Sequence, residues 1–146
     1  MKSIQKVTRV KLNIDQNNDY ILLGLVSSEP DYKLSLLLNK KFGISLRNAT
    51  PLKMSEDHKT DLLFSRFSNN DDPADLILTL ICNRSGKNFL LKKLKNIDYL
   101  LQIQTSEKNI DLNKLIPGLR EIATVTAVFN LDLNKINDKN LQYLIQ

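Results

Sequence analysis

Apolar and polar residues alternate at the start of the chain. Val10, Leu12 and Ile14 fall on one side and Arg9, Lys11 and Asn13 on the other, the period-two pattern of a half-buried strand. Asp15–Asp19 (DQNND) has turn chemistry. Tyr20–Val26 (YILLGLV) is apolar on both faces and predicts a central strand, with Gly24 marking a bulge or a close approach. The period then changes. Leu34, Leu37, Leu38 and Phe42 form one stripe at helical spacing, so a helix is expected from about Pro30 to Phe42. Ser28 with Asp31 suggests a capping box, Lys40 and Lys41 suit the last turn, and Gly43 suits the stop.

Leu46–Lys53 predicts an irregular segment or a short strand broken at Pro51, and Asp61–Ser68 (DLLFSRFS) a strand. Asn69–Asp75 is a loop, Leu76–Cys82 (LILTLIC) a central strand, and Asn83–Asn88 (NRSGKN) a hairpin turn. In the stretch after it, Ile97, Tyr99, Leu101 and Ile103 share one face. Leu112, Leu115, Ile116, Leu119 and Ile122 mark a second helix, which Pro117–Gly118 should delay or kink. Thr124–Leu131 alternates as a strand, and Asn134–Gln146 is a short, weakly helical tail. The expectation is a single α+β domain over residues 1–146: a mostly antiparallel sheet with two or three helices packed on one face. Its C-terminal half, Ile97–Leu131, has the strand–helix–strand order of a ferredoxin-like or ACT-like βαβ unit.

Composition narrows the function. The 146 residues are 42% hydrophobic and 25% charged, ordinary values for a globular domain. No apolar run reaches the roughly 20 residues of a membrane-spanning helix, and the N-terminus lacks an apolar signal core, so a cytoplasmic protein with no membrane partner is expected. The single cysteine, Cys82, cannot form an internal disulfide, which fits a reducing compartment. The net charge is +5, and the stretches Met1–Ile14, Tyr32–Ser55 and Leu76–Ile97 hold no acid. Within the last of these, Arg84, Lys87, Lys92, Lys93 and Lys95 form a candidate basic patch.

Catalytic and cofactor chemistry finds no support. His58 lies in a polar loop and Cys82 in an apolar strand, where a thiol is hard to ionise. One histidine and one cysteine cannot build a zinc site. Ser85-Gly86-Lys87 lacks the second glycine and the following Ser or Thr of a phosphate-binding loop. Asp71, Asp72 and Asp75 are interrupted by Pro73 and Ala74 and read as a turn. Phe89 is the one aromatic among the basic residues, short of the paired stacking platform of RNA-binding sheets, and is expected in the core. No catalytic residue, metal ligand or cofactor is assigned.

Leu91–Tyr99 (LKKLKNIDY) resembles the signature of the IPExxxVDY family, a bacterial family. Asp98 and Tyr99 match its last two positions, Ile97 and Leu91 match conservatively, and Lys92 and Lys93 stand in place of proline and glutamate. Asp31, Tyr32, Leu34 and Asn39 match the family's early helix, and Asn83 and the final helix–strand pair are similar. The resemblance implies no activity. A proline among relatives at position 92 implies that Leu90–Lys95 is not a helix, despite its amphipathic look.

Two functions follow. The first is a small binding or interaction module without catalytic machinery, in one form a homodimer. Asp98, Tyr99, Tyr32 and Asn39 are its candidate contacts. On the structural alternative, Tyr99 is core and Asp98 fixes a turn or an amide. The second is an RNA- or ribosome-associated basic protein using the patch above. An enzyme would have to gather Asp31, Tyr32, Asn39, Asp98 and Tyr99 through the fold.

Overall fold

The computed structural model describes residues 20–55, 61–69, 76–105 and 112–145. The expected strand at Arg9–Ile14, the turn at Asp15–Asp19, His58, and Asp71, Asp72 and Asp75 lie outside them. In chain order the elements are β1 (Tyr20–Ser27), α1 (Asp31–Phe42), β2 (Arg47–Ser55), β3 (Asp61–Ser68) and β4 (Leu76–Cys82). A small hairpin follows, β5 (Arg84–Ser85) with β6 (Asn88–Phe89). Then come β7 (Tyr99–Thr105), α2 (Leu112–Arg120), β8 (Val125–Leu131), a 3-10 turn at Lys139–Leu141 and α3 (Gln142–Ile145). Among the described residues six strands form one sheet in the order β2-β3-β4-β7-β1-β8, with every neighbouring pair antiparallel. This is an α+β protein built on a large antiparallel sheet. No helix among the described residues is long and apolar enough to cross a membrane.

Strand alternation sends the apolar residues to two cores. On one face Leu23, Leu25, Leu78, Leu80, Tyr99, Leu101, Ile103 and Val128 pack under Leu34 and Leu38 of α1 and Leu115 and Leu119 of α2. On the other, Leu22, Met54, Phe64, Ile81 and Leu100 pack under Leu90, Leu91, Ile97 and Leu144. Two helices therefore share one face, while the short α3 belongs to the opposite one. That second face is covered mainly by irregular chain.

Several local expectations change in the fold. α1 starts behind Pro30, which sits in extended backbone (φ −62°, ψ 157°) and offers no side-chain cap, so the Ser28–Asp31 box does not form. The Asp31 carboxylate instead accepts the Tyr32 amide (2.7 Å) and the Ser65 hydroxyl, tying the first turn to β3. Gly43 closes the helix at φ 65°, donating its amide to the Asn39 carbonyl (2.8 Å). β2 runs through Pro51, but as an edge strand whose register shifts between Ala49 and Leu52, where a missing amide is tolerated. α2 runs through Pro117 rather than starting after it. One helical hydrogen bond is lost there, and burial of Leu115, Leu119 and Ile122 offsets it. Gly118 has a separate role, since a Cβ there would come 2.9 Å from the Phe42 ring and push α1 and α2 apart.

Gly24 marks a close approach, not a bulge: a Cβ would lie 2.4 Å from Cδ1 of Ile97. Ile97 thus belongs to the second core, opposite Tyr99, Leu101 and Ile103. It precedes β7, so strand alternation does not govern its direction.

The stripe of α1 is centred on Leu34 and Leu38, both fully buried, with Leu37 and Phe42 half-buried at its margin. Leu34→Ala and Leu38→Ala should each destabilise by about 2–5 kcal/mol. Leu36→Ala, at a position 62% exposed, should stay within about 0.5 kcal/mol. Leu37→Ala should fall between them. Urea unfolding of the four variants checks this order.

Candidate functional site

Asn83 follows β4 and is fully buried. Its side-chain amide donates to the carbonyls of Leu94 (3.0 Å) and Ile97 (2.9 Å), and its Oδ1 accepts the Leu91 amide (2.9 Å). Its own backbone donates to the Asp98 carbonyl (3.0 Å) and accepts from Leu90 (2.8 Å). One side chain thereby supplements the two turn bonds that the non-helical segment Leu90–Ile97 makes for itself, from Leu94 to Leu91 and from Ile97 to Leu94. Asn140 adds a second buried anchor, donating to the Leu90 carbonyl (2.8 Å). Leu90 and Leu91 are fully buried beneath this loop, while Lys92, Lys93 and Lys95 are exposed.

The end of that loop delivers Asp98 and Tyr99. Asp98 Oδ2 accepts the Ser27 amide (2.9 Å), and Oδ1 pairs with the Arg84 guanidinium, which lies 5.4 Å over the Phe89 ring. Phe89 is therefore a half-buried platform for Arg84 rather than core. Tyr99 is 5% exposed and donates its hydroxyl to the Glu29 carbonyl. Burial above all, reinforced by the nearby Cys82, Asp31, Asp98 and Glu29, holds the Tyr99 phenol protonated well above its ordinary range. Cys82 is half-buried, and its thiol donates to the Arg84 carbonyl (3.1 Å). Burial pushes that thiol up as well, which keeps it un-ionised at neutral pH.

Asp98, Tyr99 and Arg84 thus meet at one end of the sheet. Tyr32 and Asn39 do not join them. Tyr32 is 55% exposed on α1. Asn39 lies eight residues beyond Asp31, about 12 Å along the helix axis. There it clamps Leu46, accepting its amide (2.7 Å) and donating to its carbonyl (3.2 Å). Among the described residues no cluster of three metal-ligating side chains exists.

A different site emerges from strand register. Arg47 faces Ser68 across β2 and β3, Ser68 faces Thr79 on β4, and Thr79 faces Gln102 on β7. Side chains at facing positions share a sheet face, so four adjacent strands lay down one polar row. It spans three inter-strand steps of about 4.8 Å, roughly 14 Å. Arg66 and Gln104 flank it on the same face. The row floors an open groove of about 510 Å³, bounded by Asn48, Thr50 and Leu144.

Hydrogen bonds within the protein hold the lining of the groove. Gln102 donates to the Leu144 carbonyl (2.9 Å), Ser68 and Thr79 hydroxyls pair at 3.2 Å, and Arg66 Nε donates to the Thr50 carbonyl (2.8 Å). Two arginines line it, and no described carboxylate does. Neither Arg47 nor Arg66 forms an ion pair with a described residue. Such a surface suits anions, because guanidinium groups present paired donors and no described residue pairs with them. None of the four residues of the row was a candidate from sequence. Each is unremarkable alone, and only the registers of four strands bring them together.

Two predictions follow from this end of the sheet. Asn83→Ala should cost about 3 kcal/mol or more, since it strands buried backbone groups, and the Leu91 amide should exchange faster with deuterium. The second concerns pH. The folded state binds the Tyr99 proton more tightly than the unfolded chain, whose phenol titrates near 10.0. Tyr99 therefore contributes stability that is complete below pH 10 and declines as pH rises further. Tyr99→Phe should flatten that alkaline decline in urea titrations.

Comparison of the chain with known protein families, with curated proteins and with solved structures finds no match.

Proposed function

We propose that this protein is a cytoplasmic, non-catalytic binding module whose ligand is an anionic group held in the groove over Arg47, Ser68, Thr79 and Gln102. The observation that carries the reading is a preformed polar trough with two arginines and no described carboxylate. Arg66 is half-buried and fixed through its Nε, which leaves its terminal nitrogens as oriented donors for a carboxylate or phosphate. Among the described residues no aromatic side chain lines the groove, which favours a small anion over stacked bases.

The same reading includes kinship with the IPExxxVDY family. It is supported by the structural work of Asp98 and Tyr99, which bind the backbone of β1 and the residues after it, and by the non-helical course of Leu90–Lys95. A ferredoxin-like C-terminal half is supported by β7 and β8, which flank β1, both antiparallel to it, with α2 between them in sequence. A second function, RNA or ribosome association, is favoured by one observation: Lys87, Lys92, Lys93 and Lys95 are all exposed near Arg84 in sequence.

Titration calorimetry with tripolyphosphate and with citrate tests the first function. One saturable site is expected, weakened at least roughly tenfold in Arg47→Gln/Arg66→Gln. Absence of heat with both probes, or binding untouched by the double variant, overturns it. Salt-sensitive retention of an oligoribonucleotide, lost in Lys92→Gln/Lys93→Gln/Lys95→Gln, would replace it with the second.

A further inference from the structure

Charge in the polar groove is unevenly placed. Both of its arginines come from β2 and β3. Register sets Arg47 opposite Ser68 and Ala49 opposite Arg66, so the two arginines stand at diagonal corners of one patch, with small side chains at the other two. Strands β4 and β7 bring no charge to the lining, only Thr79, Ile81, Gln102 and Gln104. Ser68 and Gln102 are buried there and bonded within the protein. Thr79 is half-buried, and its hydroxyl, paired with Ser68, keeps capacity for a further bond. Gln104 is exposed, and among the described residues its side-chain amide has no hydrogen-bond partner. One end of the trough is therefore cationic, and the other offers neutral groups that both donate and accept.

We infer that the ligand of this groove is the phosphate monoester of a sugar, with its phosphoryl group between Arg47 and Arg66 and its hydroxyls over Thr79 and Gln104. The inference rests on the anion-binding reading above and names the class of anion. A carboxylate has two oxygens, which one guanidinium satisfies, whereas a phosphoryl group has three and more charge, which suits two. An anion charged at both ends would set its second charge over Thr79 and Gln104, where no described cation compensates the loss of water. A bare inorganic anion would leave those two groups unused. Sugar hydroxyls match them, because a hydroxyl donates and accepts as a threonine or a glutamine does. From β3 to β7 is two inter-strand steps, about 10 Å, which leaves room for one sugar ring beyond the phosphate.

Titration calorimetry with inorganic phosphate, glycerol phosphate and glucose 6-phosphate tests it. Affinity should rise in that order as hydroxyls are added, with the sugar phosphate at least roughly tenfold tighter than inorganic phosphate. Thr79→Val/Gln104→Ala should erase this advantage and leave tripolyphosphate binding unchanged, while Arg47→Gln/Arg66→Gln should weaken every anion. Gln104 is exposed, so Gln104→Ala alone decides, by a smaller loss confined to the sugar phosphate, should the double variant fail to fold. Glucose 6-phosphate no tighter than inorganic phosphate, with tripolyphosphate still bound through the arginines, overturns this inference and leaves the anion site standing. An advantage that survives the changes at Thr79 and Gln104 overturns it too. Silence from every anion overturns both.

Discussion

The second layer of this protein hangs on one buried amide. Asn83 reaches three backbone groups of the loop that crosses the sheet face opposite the helices. That loop has no ladder and no helix of its own, only two turn bonds (Leu94 to Leu91, Ile97 to Leu94) and the Asn140 contact, so without the Asn83 side chain the Leu91 amide would lose its partner. Once it is pinned, Leu90, Leu91 and Ile97 can close over Leu22, Ile81 and Leu100. The same pinning aims Asp98 at Ser27 and Tyr99 at Glu29, which locks the start of β7 to the end of β1.

A cover made of loop and tail is smaller than one made of helices. Among the described residues α1 and α2 pack on the first face of the sheet, and the loop and the C-terminal segment pack on part of the second. Where they stop, the face-wise composition changes from Phe64, Ile81 and Leu100 to Arg47, Ser68, Thr79 and Gln102. Within that row Ser68 and Gln102 are buried and Arg47 is exposed, and Ile81 belongs both to the core and to the groove lining. The two arginines are what exceed a merely wettable floor, since amides and hydroxyls alone would suffice for solvation.

The parts legible in the sequence are those set by local period. β1, β4, β7 and α1 each announce themselves through a run, an alternation or a stripe, and Gly43 and Gly86 occupy the left-handed turns that their positions suggest. Pro117 misleads because helix propensity is weaker than the burial of Leu115 and Leu119 on either side of it. Ser28 misleads because Asp31 finds a partner on β3, far away in sequence. Ile97 takes the face opposite to its apparent alternation because Gly24, 73 positions earlier, leaves room for it. The groove was illegible for a stronger reason. Its residues carry no shared motif, and their meeting depends on four strand registers that no short window contains.

The position of β1 has a consequence for synthesis. It is the first described strand, yet it lies between β7 and β8. Ser27 bonds to Asp98, 71 positions later, and Val26 to Thr126, 100 positions later. Leu22, Leu23 and Leu25 therefore leave the ribosome long before either neighbouring strand exists, with both edges and both apolar faces of β1 still open. Contacts this distant slow folding and prolong the exposure of such segments. The first described strand is thus an interior one, and it must be kept from wrong partners until β8, Val125–Leu131, has been made.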